Sequence, residues 1–502
     1  MKVTQTNTST HAQMRAPETV MRLAQLGSFH QSRLSFMRTL TRRMTQENWT
    51  FSRPIFEIND QGVGHAVYCA HTPNRTYSLI AFAHDLPAEK RSDRVIAQAW
   101  DSTFTLFDGI PTRDDIIRLQ QNVPLQEAGR VTQSELSVSR ANRSVRLWEH
   151  VVARLAAGQQ PDLAEVESVG YLMRTTAVYG SGKLGAADRE CLAMRPECAA
   201  PFQIEMLSVF LTRSYVRDLA QHMANLRGGE KAVTLDPEIA RSMGIGNSTG
   251  LGMAPFLVNH PILLNNWIAA REEAIARVRN LPTASADEVE TFQNLFARSV
   301  LSANIWHSAH PIQIEKLTTL RKDLQSLAMH IEAANLMTDR PWDRLFIWAD
   351  AHLGPDAVEC LASLMLEPYG TLVDPLADQM SDNDAASFRI NGAMTVEALN
   401  VILTDNYAWA MDIDWTAKAA SARAWYVSEE KLEPRLGERF EEPIAEFEQP
   451  LAPGRDAAAL YEALKEWTPN VPIASFLLAH PEHRHTVRRA QIVDQAPFAE
   501  IR

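Results

Sequence analysis

Cysteine is scarce in this chain, with four in 502 residues, at positions 69, 191, 198 and 360. Scattered so widely, they build no disulfide framework. The seven-residue interval between Cys191 and Cys198 matches no common zinc-ligand spacing. They read as reduced thiols, the state expected of a cytoplasmic protein. Basic residues are also short: 49 Lys and Arg against 61 Asp and Glu leave a formal net charge of −12. That balance argues against general nucleic-acid affinity, which needs a basic surface to displace counterions. Long apolar runs are missing too. No stretch approaches the roughly 20 residues that span a bilayer. Residues Met1 to Gln13 are polar and threonine-rich, without the apolar core of a secretory leader. No membrane partner is expected, and the expected location is the cytoplasm.

Several catalytic signatures are absent as well. There is no Gly-x-Ser-x-Gly elbow, no His-Glu-x-x-His helix and no Cys-His signature. Fixed-period repeats and low-complexity tracts are lacking. What is present is an ordinary globular composition, 45% hydrophobic and 22% charged. A chain of this length buries a large core without staples.

The pattern divides the chain into five stretches. Residues 1–16 read as a disordered N-terminus. Residues 17–48 form a helical region, with Val20, Leu23, Leu26, Phe36 and Leu40 at helical spacing. Residues 49–110 hold short β-type runs separated by the turn sequences Asn59 to Gly62 and Thr72 to Arg75. This predicts a small antiparallel sheet. Helices dominate residues 111–432, including segments over 133–157 and 161–178 and a helix started by Asp236 and Pro237. Residues 433–502 begin as a Pro- and Glu-rich crossing and end in a helix and a His/Arg tail. The fold class expected is mainly α, a large multi-helix core with a small N-terminal antiparallel β-sheet, α+β overall.

Two glycine-rich segments break the helical text. Glycine costs about 1 kcal/mol per residue inside a helix, so each cluster needs a reason. The first contains Tyr179, Gly180, Ser181, Gly182 and Lys183. Leu184 follows the lysine and the segment upstream reads as helix, so the segment is not a Walker loop. Free main-chain N–H groups beside an ammonium still favour an anion, and Arg174 stands a turn or two upstream in a helical reading. The second runs from Met243 to Pro255 and contains Gly246, Asn247, Ser248, Thr249 and Gly250. Its glycine spacing is not the dinucleotide fingerprint, and no parallel βαβ surround is visible. The bland reading of both is a pair of tight inter-helix turns. The second segment also resembles the signature loop of the fumarase and argininosuccinase superfamily at Ser248, Met253, Pro255 and Asn259. Ala254 separates Met253 from Pro255, and the lysine and tandem serines of that loop are missing. The likeness stops short of membership.

Other residues carry candidate chemistry. His260 follows the second segment, near a helix start that would keep its ring neutral for general-base work. His307 with His310, and His480 with His483 and His485, offer imidazoles at ligand spacing but no completed set, so no metal is assigned. Asp405, Asp412 and Asp414 lie among Tyr407, Trp409 and Trp415, a pocket lining or simply an amphipathic helix. His65, His71, His84 and Asp85 sit near strand ends, where a His–carboxylate pair is conceivable.

The function expected from these features is a soluble enzyme that binds a small carboxylate- or phosphate-bearing molecule between the two glycine segments. His260 and Lys183 are its acid–base candidates, and Arg174, Tyr179, Gly180, Ser181, Gly182, Gly246, Asn247, Ser248, Thr249 and Gly250 its binding residues. Lyase or transferase chemistry fits better than a P-loop kinase or a Rossmann dehydrogenase, and the cofactor stays unknown. The alternative is a non-catalytic helical scaffold or regulatory oligomer whose glycine segments are structural turns. A homo-oligomer accords with either reading.

Overall fold

The computed structural model describes residues 33–85, 102–124, 134–143, 147–169, 171–180, 195–198, 202–246, 261–305, 311–380, 392–412 and 452–484, with positions 12, 14, 15, 132, 200, 414, 415 and 487. The architecture is mainly α-helical with one sheet, an α+β fold as the sequence predicts. It divides into two compact units: residues 35–256, and residues 1–34 together with 257–502.

The unit of residues 35–256 is built on a sheet. Helix α1 (Phe36–Gln46) starts at Ser35, whose hydroxyl accepts from the Arg38 N–H. The strands β1 (Thr50–Ile58), β2 (Gly64–His71), β3 (Thr76–Ala83) and β4 (Ser102–Asp108) follow as a meander. The two predicted turns join the first three. The Asn59 side chain accepts from the main chains of Gln61 and Val63, and the Thr72 N–H donates to the Arg75 carbonyl. Helix α2 (Arg113–Asn122) is started by a reciprocal cap between Thr112 and Asp115.

The sheet then continues where the sequence reads helix. Strand β5 (Glu135–Arg143), helix α3 (Leu147–Ala156) and helix α4 (Leu163–Val169) lead to strand β6 (Tyr171–Gly180). The long helix α5 (Gln203–Gly228) and the short helix α6 (Pro237–Arg241) lead to strand β7 (Gly244–Gly246). Asp236 caps α6 as expected, accepting from the Glu238 N–H. The seven strands lie in sequence order. The first six pair antiparallel, and β7 joins β6 in parallel. The α5 crossing therefore makes a parallel βαβ connection that the sequence does not reveal.

The sheet has two unlike faces. One packs Val67, Ile80, Phe82 and Phe107 against Ile116 and Leu119 of α2, an apolar core. The other is covered by α5 and is partly hydroxylated. There the Ser102 and Tyr215 hydroxyls pair at 3.1 Å and those of Ser137 and Ser208 at 2.6 Å. The Phe104 ring meets Tyr215 edge-on. Small residues on β5 let the helix approach the sheet, and the buried hydroxyls of Ser102, Ser137, Ser208 and Tyr215 gain partners there.

The other unit is helical. Its elements are α7 (Pro261–Arg279), α8 (Ala286–Ile305), α9 (Pro311–Ala333), α10 (Pro341–His352), α11 (Pro355–Met365) and α12 (Gly370–Val373), then α13 (Val396–Met411), α14 (Ala452–Lys465) and α15 (Ile473–Ala479). Its core centres on Trp342, which meets Phe292 edge-on and donates its indole N–H to the Tyr369 hydroxyl at 2.5 Å. No helix among the described residues is long and apolar enough to cross a membrane.

Gly64, at the start of β2, has φ of +149°, and a Cβ there would lie 1.9 Å from the Glu57 carbonyl oxygen. Both the conformation and the contact require glycine. We expect Gly64→Ala to destabilise the chain by about 1–3 kcal/mol. Gly109→Ala, at φ of +104° with open space around the added atom, should show a smaller loss. Urea unfolding midpoints of the two variants check the difference.

Candidate functional site

One end of the sheet gathers the buried polar chemistry of the residue 35–256 unit. Register brings together the start of β3, the end of β4, the start of β5 and the end of β6: Tyr77 pairs with Asp108, and Ser137 with Gly180. The second turn of α5 is joined to the same place by the Ser208–Ser137 hydroxyl bond. Gly180, the first glycine of the first glycine-rich segment, is the last residue of β6.

Glu205 is the chemically unusual group at this end. It lies on the first turn of α5, three residues before Ser208, a spacing that places both on one helical face. It is 2% exposed, and its Oε1 atom finds no hydrogen-bond donor. Burial pushes its carboxyl up to about 7, against a hydrogen bond from its own main chain. A carboxyl so placed changes protonation around neutral pH, the condition for acid–base exchange.

Beside it, residues 195–198 are held by a dense set of bonds. The Arg195 guanidinium donates to Asp108 at 2.6 and 2.9 Å, and Arg75 donates to the same carboxylate at 2.8 and 3.1 Å. Glu197 is buried and accepts from the Tyr77 hydroxyl at 3.2 Å and the Thr72 hydroxyl at 3.3 Å. Arg43 donates to the carbonyls of Pro196 and Glu197. Burial pushes the Cys198 thiol up to about 12, opposed by a hydrogen bond with Tyr77 and reinforced by the negative charge of Glu197 and, more weakly, Glu205. Cys198 is thus an inert, protonated thiol. Burial likewise raises the Tyr77 hydroxyl, whose proton stays on. The arrangement is a charge-neutralised clamp on which Glu205 remains the open valence.

The sequence-predicted residues fall as follows. Tyr179 and Gly180 are the last two residues of β6, and Arg174 lies on the same strand. Their separation on an extended strand puts Arg174 about 16 Å from Tyr179, where a helix would hold them within about 8 Å. Arg174 instead pairs in register with Gly246, the end of β7. Arg174 therefore stands at the root of the second glycine segment, and Gly180 begins the first. The strands β6 and β7 run parallel, and their last described residues, Gly180 and Gly246, lie about 20 Å apart along the sheet. Ser181, Gly182, Lys183, Asn247, Ser248, Thr249, Gly250 and His260 lie outside the described residues.

The remaining candidates do not assemble. His65 lies 3.4 Å from Glu57 on the neighbouring strand, whereas His71, at the far end of β2, bonds Ser52 and Thr76. Burial lowers the His84 ring to about 4, with Asp85 opposing. Tyr407 is buried while Asp405, Asp412 and Asp414 are exposed. His480 and His483 stack on Phe476, and His480 bonds Glu482. His307, His310 and His485 lie outside the described residues, among which no cluster of three metal-ligating side chains occurs. Sequence reasoning missed Glu205, whose one signal was a carboxylate inside an otherwise apolar helix start, Ile204-Glu205-Met206-Leu207.

Comparison with protein-family models, with curated proteins and with solved structures finds no match.

A carboxyl with a raised pKa binds its proton more tightly in the folded chain than in the unfolded one. Its stabilising contribution is complete below the unfolded value of about 4.5 and is lost as pH rises through about 7. Glu205→Gln keeps the neutral shape at every pH. We expect the variant to match the parent's stability at pH 4 and to exceed it by about 3 kcal/mol at pH 8. Thermal unfolding across that range checks the sign.

Proposed function

We propose that the residue 35–256 unit is an enzyme that moves a proton on a small carboxylate- or phosphate-bearing substrate, with Glu205 as its acid–base group. The observation carrying this reading is the buried Glu205 carboxyl, whose Oε1 has no donor, one helical turn from the Ser208–Ser137 pair, at the strand end where Gly180 opens the first glycine-rich segment. Such a group lowers stability at neutral pH, and groups that do so concentrate where chemistry needs them.

The roles divide as follows. Glu205 exchanges the proton. The glycine segment supplies N–H groups to the substrate anion. Lys183 follows Gly180 by three residues, so the chain keeps its Cα within about 11 Å of that strand end, and it is assigned the substrate's charge. Arg174, beside Gly246, serves the second segment with Asn247, Ser248 and Thr249. A competing reading puts the acid–base role on His260, which belongs to the other unit. Proton transfer of this kind belongs to lyases and transferases, and no cofactor is assigned.

The test is conversion of a metabolite extract followed by mass spectrometry, with parent protein, Glu205→Gln and His260→Ala in parallel. The parent should convert a phosphate- or carboxylate-bearing compound, and Glu205→Gln should lose that conversion by about 10²–10⁴-fold while His260→Ala keeps most of it. Full conversion by Glu205→Gln would overturn the reading. Loss confined to His260→Ala would move the acid–base role to that residue.

A further inference from the structure

In the helical unit, residues 12–15 are bound in the manner of a peptide ligand. The Asn280 side chain, just after α7, pairs with the main chain of Ala12 in both directions: the Ala12 N–H donates to Oδ1 at 2.7 Å, and Nδ2 donates to the Ala12 carbonyl at 2.9 Å. Three residues on, the Arg15 guanidinium enters an acidic hole. It donates from Nε and Nη2 to the two oxygens of Glu272 on α7, each at 2.7 Å, and from Nη1 to Glu359 on α11 at 2.7 Å. Its charge also lies 5.5 Å from the centre of the Phe346 ring on α10.

The walls of the hole carry a charged set of their own. Arg271 reaches Glu359 at 2.6 Å and Glu272 at 3.3 Å, and all three side chains are at most 2% exposed. Two carboxylates against one guanidinium leave a net charge of −1, which a second cation must neutralise. Glu359 accordingly sits well below the usual carboxylate range: burial opposes that, and the charges of Arg271 and Arg15 override it. The forked pairing with one carboxylate, a bond to a second and the ring contact select the planar guanidinium over an ammonium.

A main-chain clamp on one residue and a deep charged pocket for the side chain three residues later are the two elements by which proteins read extended peptides. We propose that Asn280, Glu272, Glu359 and Phe346 form a recognition site for an extended peptide carrying an arginine, and that the chain fills this site with its own residues 12–15. Joined to the site through the chain, the segment competes at a high effective concentration, so an outside peptide gains entry when the internal arginine is withdrawn.

The test uses the full chain and a fluorescent peptide of residues Thr8–Glu18. Fluorescence anisotropy should show the peptide binding Arg15→Ala protein at least tenfold more tightly than the parent. On that variant, the same peptide with alanine or lysine in place of Arg15 should bind at least tenfold more weakly. Equal binding to parent and variant, or equal binding of the arginine and alanine peptides, would overturn the proposal. Arg15→Lys protein retains the cation if the alanine variant fails to fold. It should take up the peptide at least threefold more tightly than the parent, and the same two negative results apply to it.

Discussion

Helix α5 rests on a floor of small and hydroxyl side chains, and this close seat governs the sheet-bearing unit. Apolar side chains could have filled the space beneath it, as they do on the α2 face. Instead Ser102 answers Tyr215 and Ser137 answers Ser208, while the Tyr68 hydroxyl and Arg53 both donate to Asp218 further along the helix. Such a floor tolerates little error, because each buried polar atom lacking a partner costs about 1–3 kcal/mol. These pairs run along the seam, and at the first turn of the helix Glu205 keeps one oxygen without a donor. That oxygen, beside paired hydroxyls, marks the candidate site.

The helical unit solves a different electrostatic problem. Arg271, Glu272 and Glu359 are sunk among helices, where ionised groups lose their hydration. Nearby, Asp343 accepts from Arg279 and pairs with Arg340, and the Arg279 guanidinium also lies over the Phe346 ring. Charges are thus threaded through the helical core as matched sets. A set completed by a residue from a distant part of the sequence, as Arg15 completes this one, makes the packing of the helices sensitive to where that segment lies.

The legible parts of the chain were those with strong local chemistry. The cap at Asp236, the turns at Asn59 and Thr72, and the first four strands all follow from residue type and spacing. Strands β5 and β6 were read as helix for physical reasons. On β5 the residues facing α5 are Ser137, Ser139 and Ala141, so its period of two is not written in large apolar side chains. On β6 a bulge against Arg140 and Ala141 interrupts the alternation, although Tyr171, Thr175, Thr176 and Val178 are strand-formers. Strand β7 is three residues long and exists through its pairing with β6, a relation no local window contains. The glycine segments read as breaks between helices, whereas their described residues, Tyr179 and Gly180 on β6 and Gly244–Gly246 as β7, lie in strands. Glu205 was invisible for a related reason, since its character comes from burial under a helix start and not from any motif.

The sheet's first edge shows how the fold guards against its own misuse. An outer strand offers unpaired N–H and C=O groups to any other chain that can extend the sheet. Here β1 carries Pro54, which has no N–H to offer, next to Arg53. The pairing with β2 slips between Ser52 and Ile55, so the strand does not continue as a flat ribbon. Its first residues are also exposed, Phe51 among them. An apolar, solvent-facing border would otherwise be a template for stacking one molecule on the next. The proline and the slip make that border self-terminating, and they do so at the strand whose neighbour, β2, carries part of the apolar core.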